Sequence, residues 1–130
     1  MRCRSLLFGM VLAASTAHAQ PVLHVTAAPA QTRTLLAALG ELPSTVDVSL
    51  TRVDVTPDAQ GLAVRVELRA LVSDEAGRIL WSSAVHATAK GAARDRKLIE
   101  QDALDAAARE LAKQVRARAS VATAWNRSST

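Results

Sequence analysis

The side chains that could do chemistry are few and scattered. Beyond residue 19 the histidines are His24 and His86. A histidine metal site needs several ligands converging on one ion, typically at spacings such as HxH or HExxH, and neither histidine stands in one. Acyl transfer of the Ser-His-Asp kind needs a serine on a strained turn, as in GxSxG, and that run is absent. The adjacent acids Asp74 and Glu75 stand in a polar stretch ending at Gly77, an ordinary place for solvated carboxylates. The glycines stand singly, so no loop offers successive N–H groups to a phosphate. These residues predict no catalytic site, no metal and no cofactor, and hence a protein that is not an enzyme.

The first nineteen residues read as an export signal. Arg2 and Arg4 make a basic start without an acid, an apolar run from Ser5 to Thr16 follows, and Ala17-His18-Ala19 is a small-x-small cleavage site. That order marks a secretory signal peptide. The run is short of the roughly 20 residues a membrane-spanning helix needs, which disfavours an uncleaved anchor or a buried helix. The expectation is a periplasmic or secreted protein, cut between Ala19 and Gln20, with no transmembrane helix afterwards. Cys3 leaves with the signal, and position 20, where a lipid anchor would need its cysteine, is Gln. The exported chain then has no thiol, so disulfides and thiolate chemistry are excluded.

Setting Arg2 and Arg4 aside, the 16 basic residues become 14 against 12 acidic ones, a net charge of +2. With no Tyr and, beyond residue 19, only Trp81 and Trp125 as aromatics, stacking platforms for single-stranded nucleic acid are missing. The length suggests one domain, placed at residues 20–119 and followed by a frayed tail at 120–130.

The elements that must position these residues show in the periodicity. Leu62, Val64, Val66, Leu68, Ala70 and Val72 alternate with Arg65, Glu67 and Arg69, the pattern of a half-buried strand. A polar turn from Ser73 to Gly77 leads to a second strand with Ile79, Trp81, Ser83, Val85 and Ala87 on one face. Placing Ser73 opposite Arg78 sets Ala70 against Trp81, Val66 against Val85 and, on the outer face, Arg65 against His86. A preceding strand carries Val46, Val48 and Leu50 in one phase and Val53 and Val55 in the other. One extra residue at Thr51-Arg52, a β-bulge, reconciles them. The stretch from Thr56 to Gly61 makes the turn between these strands.

From Asp95 to Ala119 there is neither Gly nor Pro, and helix formers dominate. Leu104, Ala108, Leu111 and Val115 line one stripe. Pro29 to Leu39 has the length of a short helix with Leu35, Leu36 and Leu39 inward and Gly40 at its end, and Val22 to Thr26 has that of an extra strand. The fold class is α+β, in the order β-α-β-β-β-α: an antiparallel three- to four-stranded sheet with one or two helices on one face. Trp81 is expected in the core against Leu111. Arg65, Glu67, Arg69 and His86 are left on the open face as a candidate partner surface.

The run Asp74-Glu75-Ala76-Gly77-Arg78-Ile79-Leu80-Trp81-Ser82, followed by the alanine-rich Ala106-Ala107-Ala108-Arg109-Glu110-Leu111-Ala112, resembles small envelope domains of bacteria. These are the domains of curli-secretion assembly lipoproteins and penicillin-binding-protein activator lipoproteins. The likeness spans Val46 to Val115, and the chain departs from that group in lacking the lipid-bearing cysteine. The resemblance implies a non-enzymatic envelope role with another envelope protein as partner, and carries over no functional residue. The function expected is an exported binding or assembly module of the cell envelope. The alternative is a small-ligand carrier with a cleft between sheet and helix near Trp81.

Overall fold

The computed structural model describes residues 20–128, with side chains as far as Val121. Residues 1–19, read above as an export signal and holding Cys3, and the side chain of Trp125 lie outside the described residues. The elements are β1 (Leu23–Thr26), α1 (Pro29–Leu39), β2 (Thr45–Asp58), β3 (Gly61–Ser73), β4 (Ile79–Gly91), a single 3₁₀ turn (Ala93–Asp95) and α2 (Arg96–Ser128). The four strands form one sheet in the order β1-β2-β3-β4. The meander β2-β3-β4 is antiparallel, whereas β1 pairs with β2 in parallel, Leu23 opposite Val46 and Val25 opposite Val48. The parallel pair is an addition to the expected antiparallel sheet. It follows from α1, which returns the chain to the same end of the sheet.

Both helices lie on one face of the sheet. Val46, Val48, Val64, Val66, Leu68, Ala70, Val72 and Val85 meet Leu104, Ala107, Ala108, Leu111 and Val115 of α2 and Leu35 and Leu39 of α1 in a single buried cluster. The alanines of α2 permit close approach, so the core is made of small side chains at high density. Gly40, at φ 64, ends α1, where its N–H donates to Leu36 O at 3.2 Å. Leu36 itself is exposed, not inward as expected, because it lies about 100° round the helix from Leu35. Two contacts lock α1 onto α2. Gln31 Nε2 donates to Glu100 Oε2 at 2.9 Å, and Arg116 Nη2 donates to Leu39 O and Glu41 O, each at 3.1 Å. The guanidinium thereby satisfies carbonyls that the end of α1 leaves without intrahelical donors.

The bulge on β2 falls where the phase change places it. Register shifts between Leu50 and Arg52, and the Thr51 hydroxyl donates to Glu67 O at 3.1 Å. The turn that follows is tighter than Thr56–Gly61. The strands pair out to Asp58 opposite Gly61, leaving Ala59 and Gln60 as the loop. At the other hairpin the expected register is corrected by two residues. Val72 faces Trp81, Leu68 faces Val85 and Glu67 faces His86. One residue of the shift comes from the turn, where Asp74 N donates to Arg78 O at 2.9 Å, so Asp74 rather than Ser73 lies opposite Arg78. The other comes from a second bulge between Ile79 and Trp81, beside the register shift at Val72 and Ser73. Two single steps restore the original face, so Trp81 and Val85 still point toward the helices. Ile79, expected inward, is exposed together with Leu80.

The Asp74 carboxylate organises that turn. Its Oδ1 accepts from the N–H groups of Ala76 and Arg78, both at 2.9 Å, and its Oδ2 accepts from Arg78 Nε at 3.2 Å. The Arg78 N–H is the main reason this carboxyl titrates below its ordinary value; desolvation opposes the shift, and the Ala76 N–H and the Arg78 charge add to it. A depressed folded-state value stabilises the protein above the ordinary aspartate range, and this contribution is lost as pH falls through the lowered value. Asp74→Asn should therefore flatten the loss of stability between about pH 5 and about pH 3, read as urea midpoints at the two pH values. An unchanged acid slope would show that the turn carboxylate is not involved.

From Arg96 the helix continues to Ser128. That is beyond the expected end of the helix at Ala119.

Candidate functional site

With both helices on one side, the other side of the sheet is bare among the described residues, and its rows run across three strands. Arg52, Glu67 and His86 form one row, Asp54, Arg65 and Thr88 the next, and Ser49, Arg69 and Ala84 a third. Adjacent strands lie about 4.8 Å apart and residues two apart share a face. Arg65, Glu67, Arg69 and His86 are thus brought into one patch. His86 stands across from Glu67, not from Arg65, because of the two-residue register shift. Arg65, Arg69 and His86 are exposed and Glu67 is half-buried.

The patch extends further than the sequence reading placed it. Arg52 Nε and Asp54 Oδ2 form an ion pair at 3.0 Å, and His24 Nδ1 lies 3.5 Å from Asp47 Oδ1 at the β1 side. The signal for Arg52 and Asp54 was the bulge, after which the even-numbered residues of β2 continue on the open face alongside Arg65 and Glu67. Across the whole face basic and acidic side chains interleave. Such a surface suits a partner whose charges interleave in turn, and is a poor match for a uniformly anionic polymer.

Trp81 is half-buried rather than fully buried. It packs on the margin of the core, and the Arg118 guanidinium carbon sits 4.6 Å from its ring centroid, within cation–π range. Beside it Ser83 Oγ donates to Gln114 Oε1 at 2.7 Å. The space between sheet and α2 is filled by Leu68, Ala70, Leu111 and Val115, each at most 1% exposed. A depression of about 470 Å³ lies instead at the end of the sheet, bordered by Pro21, Val22, Thr45, Ser73, Asp74 and Leu80. It is open to solvent, and Val22 and Leu80 on its border are 58% and 60% exposed. A small-ligand pocket would instead enclose most of its occupant. Among the described residues no three His, Cys, Asp or Glu side chains are grouped to hold a metal ion, and no helix is long and apolar enough to cross a membrane.

No family model matches the chain, and no curated protein matches it. Solved structures of similar shape include a minor lipoprotein from Acinetobacter baumannii, at 9% identity and a TM-score of 0.49 over 76% of this chain and 91% of that one. Another is a lipoprotein candidate from Caulobacter crescentus, at 17% identity and a TM-score of 0.44 over 74% of this chain and 86% of that one. These neighbours are bacterial lipoproteins, while the curli-secretion and penicillin-binding-protein activator types have no matching family model. At these identities no residue's role is carried over from them.

Proposed function

We propose that the chain is an exported, non-catalytic binding or assembly module of the bacterial cell envelope, acting in the periplasm or outside the cell. The observation that carries the reading is the bare sheet face. The helices pack on one side of the sheet, and the opposite side presents Arg65, Glu67, Arg69 and His86 in adjacent rows that reach β4, an edge that no strand pairs among the described residues. A free edge can accept an extended segment of a partner by backbone pairing, while the charged rows select which segment. The export signal supports the compartment. The filled space between β4 and α2 supports this reading over that of a small-ligand carrier at Trp81.

Photo-crosslinking in the native envelope tests it. A crosslinker at Glu67 or at His86 should capture the same envelope protein, and Arg65→Glu with Arg69→Glu should abolish both adducts. A crosslinker at Arg109, on the outer side of α2, should give none. Equal capture from Arg109, or none from the open face, would sink the proposal.

A further inference from the structure

β4 ends the sheet on the side away from β1, and among the described residues no strand pairs with its outer edge. The hydrogen bond from Val46 N to Val22 O fixes which backbone groups that edge offers. Val46 is turned toward β1, so Val46 and Val72 are not a hydrogen-bonded pair. Alternation along β3 then turns Val64, Val66, Leu68 and Ala70 toward β4, where they exchange bonds with Ala89, Ala87, Val85 and Ser83. The residues between, Ser82, Ala84, His86 and Thr88, point their N–H and C=O groups away from the sheet. From Ile79 to Ala89 there is no Asp, Glu, Lys or Arg, the residues that commonly blunt an edge strand.

The side chains beside that edge define what fits it. On the helix side Trp81, Ala87 and Ala89 are apolar, pack against the core and are only half-buried, so apolar side chains on an added strand would extend the core. On the open side Arg69 stands across from Ala84 and Arg65 across from Thr88. Both arginines are exposed, and neither makes an ion pair or a side-chain hydrogen bond among the described residues. Asp54, opposite Arg65, is engaged by Arg52 at 3.0 Å. Ala84 and Thr88 are short, so the guanidinium groups can pass over them toward an added strand about 10 Å from β3, two strand spacings away. Glu67 and His86 occupy the row between, where a further acid would meet the Glu67 carboxylate.

We propose that the β4 edge takes an extended segment of another envelope protein with acidic residues at i and i+4, apolar residues at i+1 and i+3, and an uncharged residue at i+2. The acids lie beside Ala84 and Thr88, where Arg69 and Arg65 each gain a carboxylate, and the apolar side chains turn toward α2. Backbone bonds run to Ser82, Ala84, His86 and Thr88. The inference rests on the reading of the open face and its edge as a docking surface, and adds the partner's chemistry. A second copy of this chain does not meet the requirement, since its own β4 brings no acid between Ile79 and Ala89.

The probe is a synthetic peptide of sequence Thr-Val-Glu-Val-Thr-Val-Glu-Val-Thr, which reads the same in both directions and so tests either strand orientation. Calorimetric titration of the exported protein should show binding, and amide exchange should slow at Ser82, Ala84, His86 and Thr88. Lysine in place of both glutamates should weaken binding by roughly tenfold or more, and Arg65→Glu with Arg69→Glu should reverse the preference. Both arginines are exposed, so circular dichroism of that variant should be unchanged. Absence of binding by the glutamate peptide, or binding without slowed exchange on β4, would overturn the proposal. So would equal binding of the two peptides, or a dimer of this chain closed through β4 in sedimentation equilibrium. If the glutamate peptide fails while crosslinkers at Glu67 and His86 still capture an envelope protein, the charge pattern falls and the docking face stands. Loss of those crosslinks as well removes both.

Discussion

Leu111→Ala should cost about 2–5 kcal/mol, toward the upper end, and leave the protein largely unfolded at moderate urea concentrations. The side chain is 0% exposed and belongs to the cluster in which α2 packs on the sheet. Its buried neighbours on α2 include Ala107, Ala108 and Ala112, which have no rotamers with which to refill a vacated space, and Val115, whose β-branched side chain is stiff. The cavity would therefore persist, and the penalty grows with its residual volume. A domain of this size has only about 5–15 kcal/mol of stability in total, and residues 20–130 hold no cysteine from which a disulfide could reinforce it. Trp81→Ala should cost less than the ~3–5 kcal/mol typical of a fully buried tryptophan, because the ring sits at the margin of the core and its Arg118 contact is a surface one. Urea midpoints with unchanged m-values are the measurement. A Leu111→Ala protein as stable as the parent would mean that α2 does not pack on this face.

The side of the sheet each residue occupies was legible from the sequence, whereas its partner across the strands was not. Period-two alternation reports faces directly, which is why Arg65, Glu67, Arg69 and His86 were placed together on the open side. Register depends instead on how the turn closes. There the Asp74 side chain captures two backbone N–H groups and draws one more residue into the loop than polarity alone suggests. The bulge at Thr51 could be read because the apolar positions change phase across it. The bulge before Trp81 could not, since Ile79 and Leu80 are both apolar and either could have been the inward one. Leu36 misled in the same way, as apolar character says nothing about direction when the adjacent Leu35 takes the core position. The parallel pairing of β1 depends on α1 docking against α2 through Gln31 and Arg116, contacts about 70 residues apart in the chain that leave no local pattern. The site inherits the same division. Arg65, Glu67, Arg69 and His86 were visible as a set, but the row joining Arg52, Glu67 and His86 required the register.

Gly61→Ala should destabilise the protein by roughly 3 kcal/mol or more, a larger effect than the loss of any surface side chain. Gly61 opens β3 with φ at +129°, a conformation that costs an ordinary residue on the order of 1–3 kcal/mol. Space is also lacking. A Cβ there would lie 2.7 Å from Gly91 O, 2.8 Å from Ala93 N and 3.1 Å from Ala92 Cα. All three are backbone atoms, so nothing can rotate aside, and overpacking of this kind adds about 1–3 kcal/mol. The contact sits where β4 ends and the chain turns into α2, so relief would have to move that junction and with it the first turns of the helix. Gly77 is the natural control. Its φ is +85°, but nothing lies within 4 Å of an added Cβ. Gly77→Ala should therefore show only the backbone cost, about 1–2 kcal/mol. The difference between the two variants isolates the contact of Gly61 with the β4–α2 junction. In the Gly61 variant, amide exchange should also quicken in the first turns of α2. Equal losses at both glycines, with exchange in α2 unchanged, would show that the start of β3 does not press against that junction.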